Sequence, residues 1–218
     1  MTIVHHPDDA TLTAYAAGTL SEALSVAVAA HVAICPRCRT RVRTAEAVGG
    51  TLLREAEPVA IASDALARAM ARIESSAGAP IDVIERPAIA DARLPAPLAR
   101  RLGTGLDDIR WRWIAPGVRS HDISVSPDSG SLFLLRIAPG KTMPEHGHGG
   151  AELTMILDGS YSDVTGHYGP GDVADLDEEI EHAPMVDSDT DCICLIATEA
   201  PTRFKGVIGR LLQPYFGI

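Results

Sequence analysis

The chain has 218 residues, 46% of them hydrophobic, with four cysteines and a formal net charge of -10. That acidic balance speaks against direct nucleic-acid binding, which needs clustered Lys and Arg to neutralise phosphates. No apolar run approaches the roughly 18 residues of a membrane span, and the start Met-Thr-Ile-Val-His-His lacks a basic leader region, so a cytoplasmic protein with no membrane partner is expected.

The first part of the chain reads as a small helical bundle. Asp8 or Asp9 caps a short helix with Leu12, Tyr15 and Ala16 on one face and Gly18 as its stop. Thr19 and Glu22 have capping-box spacing ahead of a second helix, and residues 23–34 are almost wholly small and apolar, which marks a buried or docking helix. Pro36 suits the first turn of a third helix running through Val42, Ala45, Val48 and Leu52 to about Glu55, with Gly49-Gly50 as a weak point and Arg37, Arg39, Arg41 and Arg43 as solvated surface. Ser63 or Asp64 caps a fourth helix with Leu66, Ala69, Met70 and Ile73 at helical spacing; this one need not belong to the bundle core.

Across the join of the second and third helices runs His31-Val-Ala-Ile-Cys35-Pro-Arg-Cys38, a spacing that brings one imidazole and two thiols onto one helical face. Two thiolates and a histidine favour tetrahedral zinc, which needs a fourth ligand; His6 is the best placed and His5 competes with it. A bundle this small is marginal as an independent core, so zinc would act as a staple.

From Ser75 to Pro97 several prolines and no sustained period indicate an extended linker. The expected organisation is therefore a helical zinc domain over residues 1–76, a Pro/Ala-rich linker over 77–97 and a β domain over 98–218. Charge is divided unevenly: residues 1–57 hold five basic and six acidic side chains, so nearly all of the negative charge lies beyond them. In the β domain Trp111 and Trp113 alternate in an early strand, residues 132–137 form another, and 191–197 form a late one in which Cys192 and Cys194 share a face as reduced core thiols. His121 and His167 read as ordinary surface histidines, and the apolar tail from Arg203 to Ile218 is expected to pack back on the barrel.

The most specific string runs from Gly140 to Gly159. His146 and His148 are two apart and share a strand face, Glu152 adds a carboxylate, and Leu153, Met155 and Leu157 alternate with Thr154 and Ile156 before Asp158-Gly159, a dipeptide suited to a hairpin turn. His182, after the turn Gly169-Pro170-Gly171-Asp172, offers a fourth donor. Three imidazoles and one carboxylate suit Zn, Fe, Mn or Ni better than Ca or Mg. The string resembles the first motif of the cupin superfamily at every fixed position. The second cupin motif is kept in part: Pro170-Gly171-Asp172 and His182 are present, the spacing to His182 is longer and the trailing asparagine is missing. The resemblance implies a cupin β-barrel, an antiparallel β-sandwich, with the metal on His146, His148, Glu152 and His182.

Together, His-x3-Cys-x2-Cys with an upstream histidine and a following cupin resemble the ChrR family of anti-sigma factors. That resemblance implies a zinc site on His6, His31, Cys35 and Cys38. It also implies an N-terminal domain that binds an extracytoplasmic-function sigma factor, and a cupin domain that responds to singlet oxygen or related oxidants through zinc or another divalent transition metal. No catalysis is then required. The competing expectation is a cupin metalloenzyme of dioxygenase type acting on a small molecule.

Overall fold

The computed structural model describes residues 2–76 and 91–200 and the backbone of 203–204. Most of the expected linker, and the tail whose packing on the barrel was expected, lie outside the described residues.

Helix α1 (Asp9–Ala17) starts on Asp8, whose carboxylate accepts from Thr11 N at 2.6 Å, and stops at Gly18 in the left-handed region, φ 70°. Helix α2 (Glu22–Ile34) is capped by Ser21 rather than by the Thr19/Glu22 box. Glu22 is drawn off instead to Arg101 (2.5 Å) and Ser126 N (2.7 Å), and Thr19 Oγ1 donates to Ala14 O. Helix α3 (Pro36–Glu55) begins on its proline and runs to Glu55 as expected, continuous through Gly49-Gly50. Helix α4 (Ala65–Ser76) has no buried residue. A fifth helix, α5 (Ala96–Leu102), was not anticipated; it follows Pro95 and ends on Gly103, φ 71°.

The strands are β1 (Arg112–Ala115), β2 (Val118–Asp122), β3 (Ser131–Ile137), β4 (His146–Gly147), β5 (Glu152–Asp158), β6 (Tyr161–Asp163), β7 (Gly166–Tyr168), β8 (Val173–Leu176), β9 (Met185–Val186), β10 (Cys192–Thr198) and β11 (Arg203–Phe204). They form antiparallel sheets in the orders β1-β2-β3-β10-β5-β8, β7-β6-β9 and β11-β4. This is the expected cupin sandwich, and among the described residues the strands do not close into one continuous barrel. The Asp158-Gly159 turn does not join a hairpin, because β5 pairs with β10 and β8 while β6 pairs with β7 and β9. It carries the chain from one sheet to the other, and a Cβ on Gly159 would lie 2.6 Å from Asp191 O.

Alternation along β3, β5 and β10 feeds two cores. Phe133, Leu135, Ile137, Ile156, Cys192, Cys194 and Ile196 point into the sandwich with Tyr161, Tyr168 and Val186. Leu132, Leu134, Leu153, Met155, Leu157, Ile193, Leu195 and Ala197 point out, and are covered by Leu24, Ala27 and Val28 of α2 and by Leu98 and Ala99 of α5. The apolar run of α2 is thus the docking helix its composition indicates: it serves the bundle on one side and the sheet on the other.

Two candidate metal centres

The N-terminal segment and the α2–α3 junction bring His6, His31, Cys35 and Cys38 together, with one donor atom from each within 4.8 Å of all the others. His6 Nδ1 lies 3.4 Å from His31 Nε2 and 3.5 Å from both Sγ atoms, and His31 Nε2 lies 3.3 Å from Cys38 Sγ. Tetrahedral zinc with bonds of about 2.05 Å to nitrogen and about 2.3 Å to sulfur requires edges of about 3.3 Å and about 3.6 Å, so the cage has the right size before any ion enters. His5 turns away and packs on Tyr168, ring centroids 4.3 Å apart, which leaves His6 as the fourth donor in place.

Without an ion, the surroundings favour the uncharged forms of His6, His31 and Cys38. Burial pushes the His31 imidazole down to about 4, so the ring is neutral and ready to ligate. Burial, followed by the charges of Arg37 and Arg41, also lowers His6. Burial and the neighbouring Cys35 push the Cys38 thiol up to about 12, so a thiolate forms there only when a positive ion compensates it. Behind the cage, His31 Nδ1 donates to Gly171 O at 3.0 Å, which fixes the tautomer that leaves Nε2 free.

The second cluster lies inside the sandwich. His146 is on β4, His148 follows it, Glu152 opens β5, and His182 sits between β8 and β9, where its backbone exchanges both hydrogen bonds with that of His146. One donor atom from each again lies within 4.8 Å of the others. The Nε2 atoms of His146 and His182 face each other at 3.1 Å, and His148 Nδ1 lies 3.1 Å from Glu152 Oε2. His148 is 1% exposed, yet beyond the Glu152 carboxylate beside Nδ1 its ring finds no partner among the described residues and Nε2 makes no hydrogen bond there, as suits a ligand group better than a packed core histidine. Burial works to raise the Glu152 carboxyl, but the hydrogen bond and charge of His148 outweigh it and hold the group below its ordinary value. Burial lowers His146. Both donor sets therefore fit a divalent transition metal.

Sequence reading missed the groups that aim these ligands. Asp163 Oδ2 accepts from His182 Nδ1 at 2.7 Å, and Pro144 O accepts from His146 Nδ1 at 2.8 Å. Asp163 has no visible motif, since its partner is 19 residues away. Beside the ligands is a small cavity of about 50 Å³ with mainly apolar walls, including Phe133, Leu135, Met143, Tyr161 and Cys194. Cys192 and Cys194 are buried free thiols, while His121 and His167 stay outside both clusters, the latter paired with Asp187.

A curated protein of Cereibacter sphaeroides, anti-sigma-E factor ChrR, is 46% identical to this chain over 223 residues and covers 100% of both. This chain belongs to the ChrR family of anti-sigma factors. Residues 99–201 match the family model of the ChrR cupin-like domain, and residues 9–39 match a model described as "Putative zinc-finger". Among solved structures, that of Rhodobacter sphaeroides SigE in complex with the anti-sigma ChrR matches with a TM-score of 0.77 and 45% identity, covering 90% of this chain and 100% of that one. No single described helix is long and apolar enough to cross a membrane.

Proposed function

We propose that this protein is an anti-sigma factor that sequesters an extracytoplasmic-function sigma factor through its helical domain, residues 1–76, and receives the releasing signal in its cupin domain, residues 98–218. Zinc on His6, His31, Cys35 and Cys38 staples the helices. Zinc or another divalent transition metal on His146, His148, Glu152 and His182 forms the sensing centre, which meets singlet oxygen or a related oxidant in the cytoplasm.

One observation carries the reading. Beyond the first metal cage, the second half of α3 and all of α4 present Val48, Leu52, Leu53, Leu66, Met70 and Ile73 to solvent at 47–77% exposure. Leu66, Met70 and Ile73 line one face of α4 at helical spacing. Exposed apolar helix faces of this kind mark a protein-interaction site. A partner that wraps around the helices would cover it, and the full-length relative found in complex with a sigma factor supplies the partner's class.

The test mixes the purified full chain with purified extracytoplasmic-function sigma factors of its host and follows complex formation by gel filtration. A complex with one of them is expected, and Cys35→Ser/Cys38→Ser should abolish it. No complex with any such factor would sink the proposal. Glu152→Gln should keep the complex but blunt its dissociation under photosensitised singlet oxygen; a wild-type dissociation profile would remove the sensing role from the second centre. The rival enzyme reading draws on the cavity beside that centre, and oxygen uptake by the metal-loaded protein with a small carbonyl or thiol compound would favour it.

A further inference from the structure

The turn Gly169-Pro170-Gly171-Asp172 belongs to the cupin sandwich, joining β7 to β8, yet much of its bonding is to the helical side. Asp172 is 5% exposed, and its Oδ1 accepts from Val4 N at 2.6 Å and from His5 N at 2.9 Å. The backbone adds Val173 N to His5 O at 3.3 Å. Asp175 Oδ2 accepts from Asp8 N at 2.9 Å just beyond. Residues 4–8, which include His6, are thereby tied to the β domain at both ends.

From the other side of the same turn, the Gly171 carbonyl holds His31 Nδ1. Gly171 has φ +90°, and a Cβ there would lie 3.0 Å from Ile3 Cγ1 and 3.4 Å from Ile34 Cδ1, so the turn is pressed against the segments flanking the cage. Its own anchorage is to β5: Gly171 N donates to Ile156 O at 2.8 Å, and Ile156 N to Asp172 O at 3.0 Å. Glu152, a donor of the second cluster, opens that strand.

We propose that this turn is a working part of the N-terminal metal centre, with Asp172 and Gly171 as positioning residues for His6 and His31, so that zinc retention in the helical domain depends on the geometry of the cupin domain. The inference rests on the zinc reading above and adds a route from one centre to the other. A displacement of β5 at Glu152 moves the turn, and the turn moves two of the four zinc donors. Neither the Gly171 carbonyl nor Asp172 touches the ion; each acts through the orientation of a ligand, an effect that typically costs about 10- to 100-fold in metal affinity when lost.

The experiment uses the full chain loaded with Co²⁺. The thiolate-to-cobalt charge-transfer band reports the Cys35/Cys38 centre alone, because the second cluster contains no sulfur donor. Asp172→Ala is expected to weaken Co²⁺ binding by about tenfold or more and to speed zinc transfer to a chelating dye. Asp172→Asn, whose Oδ1 still accepts from Val4 N and His5 N but whose NH2 replaces the Oδ2 that accepts from Gly169 N at 3.0 Å, should fall between the Ala variant and wild type. An Asp172→Ala protein that is folded by circular dichroism yet keeps the wild-type band and transfer rate overturns the proposal, and so does an Asn variant more impaired than the Ala variant. If Asp172→Ala does not fold, Gly171→Ala decides: its Cβ crowds Ile3 and strains a backbone at φ +90°, and an unchanged transfer rate refutes the role of the turn. A wild-type chain that shows no such band refutes the zinc reading itself, an outcome distinct from a variant that behaves like wild type.

Discussion

Replacing Asp163 by Asn is the sharpest test of the second centre, because it reverses one hydrogen bond and leaves the local fold in place. Asp163 Oδ1 accepts from Thr165 N (2.8 Å), Thr165 Oγ1 (2.6 Å) and Gly166 N (3.2 Å), which holds the β6–β7 turn, while Oδ2 faces His182 Nδ1 at 2.7 Å. Burial works to raise this carboxyl, but the hydrogen bonds from Thr165 and His182 hold it below the ordinary value, so it is an anion that accepts on both sides. In Asn the three turn donors retain the carbonyl oxygen, and the NH2 is left pointing at a ring N–H. The imidazole escapes the clash by moving its proton to Nε2, the nitrogen 3.1 Å from His146 Nε2 that a metal needs unprotonated. The expected cost is about 10- to 100-fold in affinity at this centre, or about 1.4 to 2.7 kcal/mol. It is read from Co²⁺ ligand-field absorption under chelator competition, with the thiolate band of the first centre as an internal control. Asp163→Ala should lose the affinity and also lower the melting temperature. Unchanged affinity in Asp163→Asn would show that Asp163 is only a turn residue.

Two further outcomes follow from the same geometry. Changing Leu66, Met70 and Ile73 together to Ser should leave stability within about 0.5 kcal/mol per site, because none of them is buried, and should weaken sigma-factor binding by about 100-fold or more; titration calorimetry that finds wild-type affinity would place the partner elsewhere. Zinc binding at the first centre should weaken as pH falls from 8 to 6. Cys38 is protonated throughout that range with its thiol at about 12, and releases that proton to bind the ion, whereas His31 at about 4 is already neutral and contributes nothing. Affinity therefore drops by at least about tenfold per pH unit, and a flat competition curve would refute the protonated-thiol account.

The fold and both metal clusters are readable from local spacing because their donors come mostly in short runs. His31, Cys35 and Cys38 span two turns around one helix junction, and His146, His148 and Glu152 lie within seven residues. His6 and His182 are distant in sequence, and only family resemblance separates His6 from His5; in space the separation is plain, because the ring of His5 is taken up by Tyr168. What composition hides is long-range. Glu22 resembles a capping residue until Arg101 and Ser126 compete for it, 79 and 104 positions away. Asp172 looks like an ordinary turn acid until it meets Val4 and His5 across more than 160 residues. Helix α5 is missed because its seven residues straddle the expected boundary between linker and β domain and are too few to show a helical period, and its helical state is supported by burial of Leu98 and Ala99 against α2.

The sharing of α2 bears on how release can work. Its apolar residues are packed at once against α1 and α3 on one side and against β3, β5 and β10 on the other, in a single buried cluster. Separating the helical domain as a rigid body would uncover the outer face of the six-stranded sheet, including Leu132, Leu134, Leu153, Met155 and Leu195, all at most 2% exposed. Burial of a side chain of this size is worth about 1.5 to 3 kcal/mol, so detachment involving five of them is too costly to follow from one local event at the second centre. A signal there is more economically carried by small shifts along β5 and its turn, because close-packed interiors transmit displacement instead of absorbing it. The strand that holds Glu152 on its inner face presents Leu153 and Met155 to α2 on its outer face and suspends Gly171 behind His31. On the proposed reading, a change at the second cluster would have a short mechanical path to the first, and the helices would not need to leave the sheet for their grip on a partner to change.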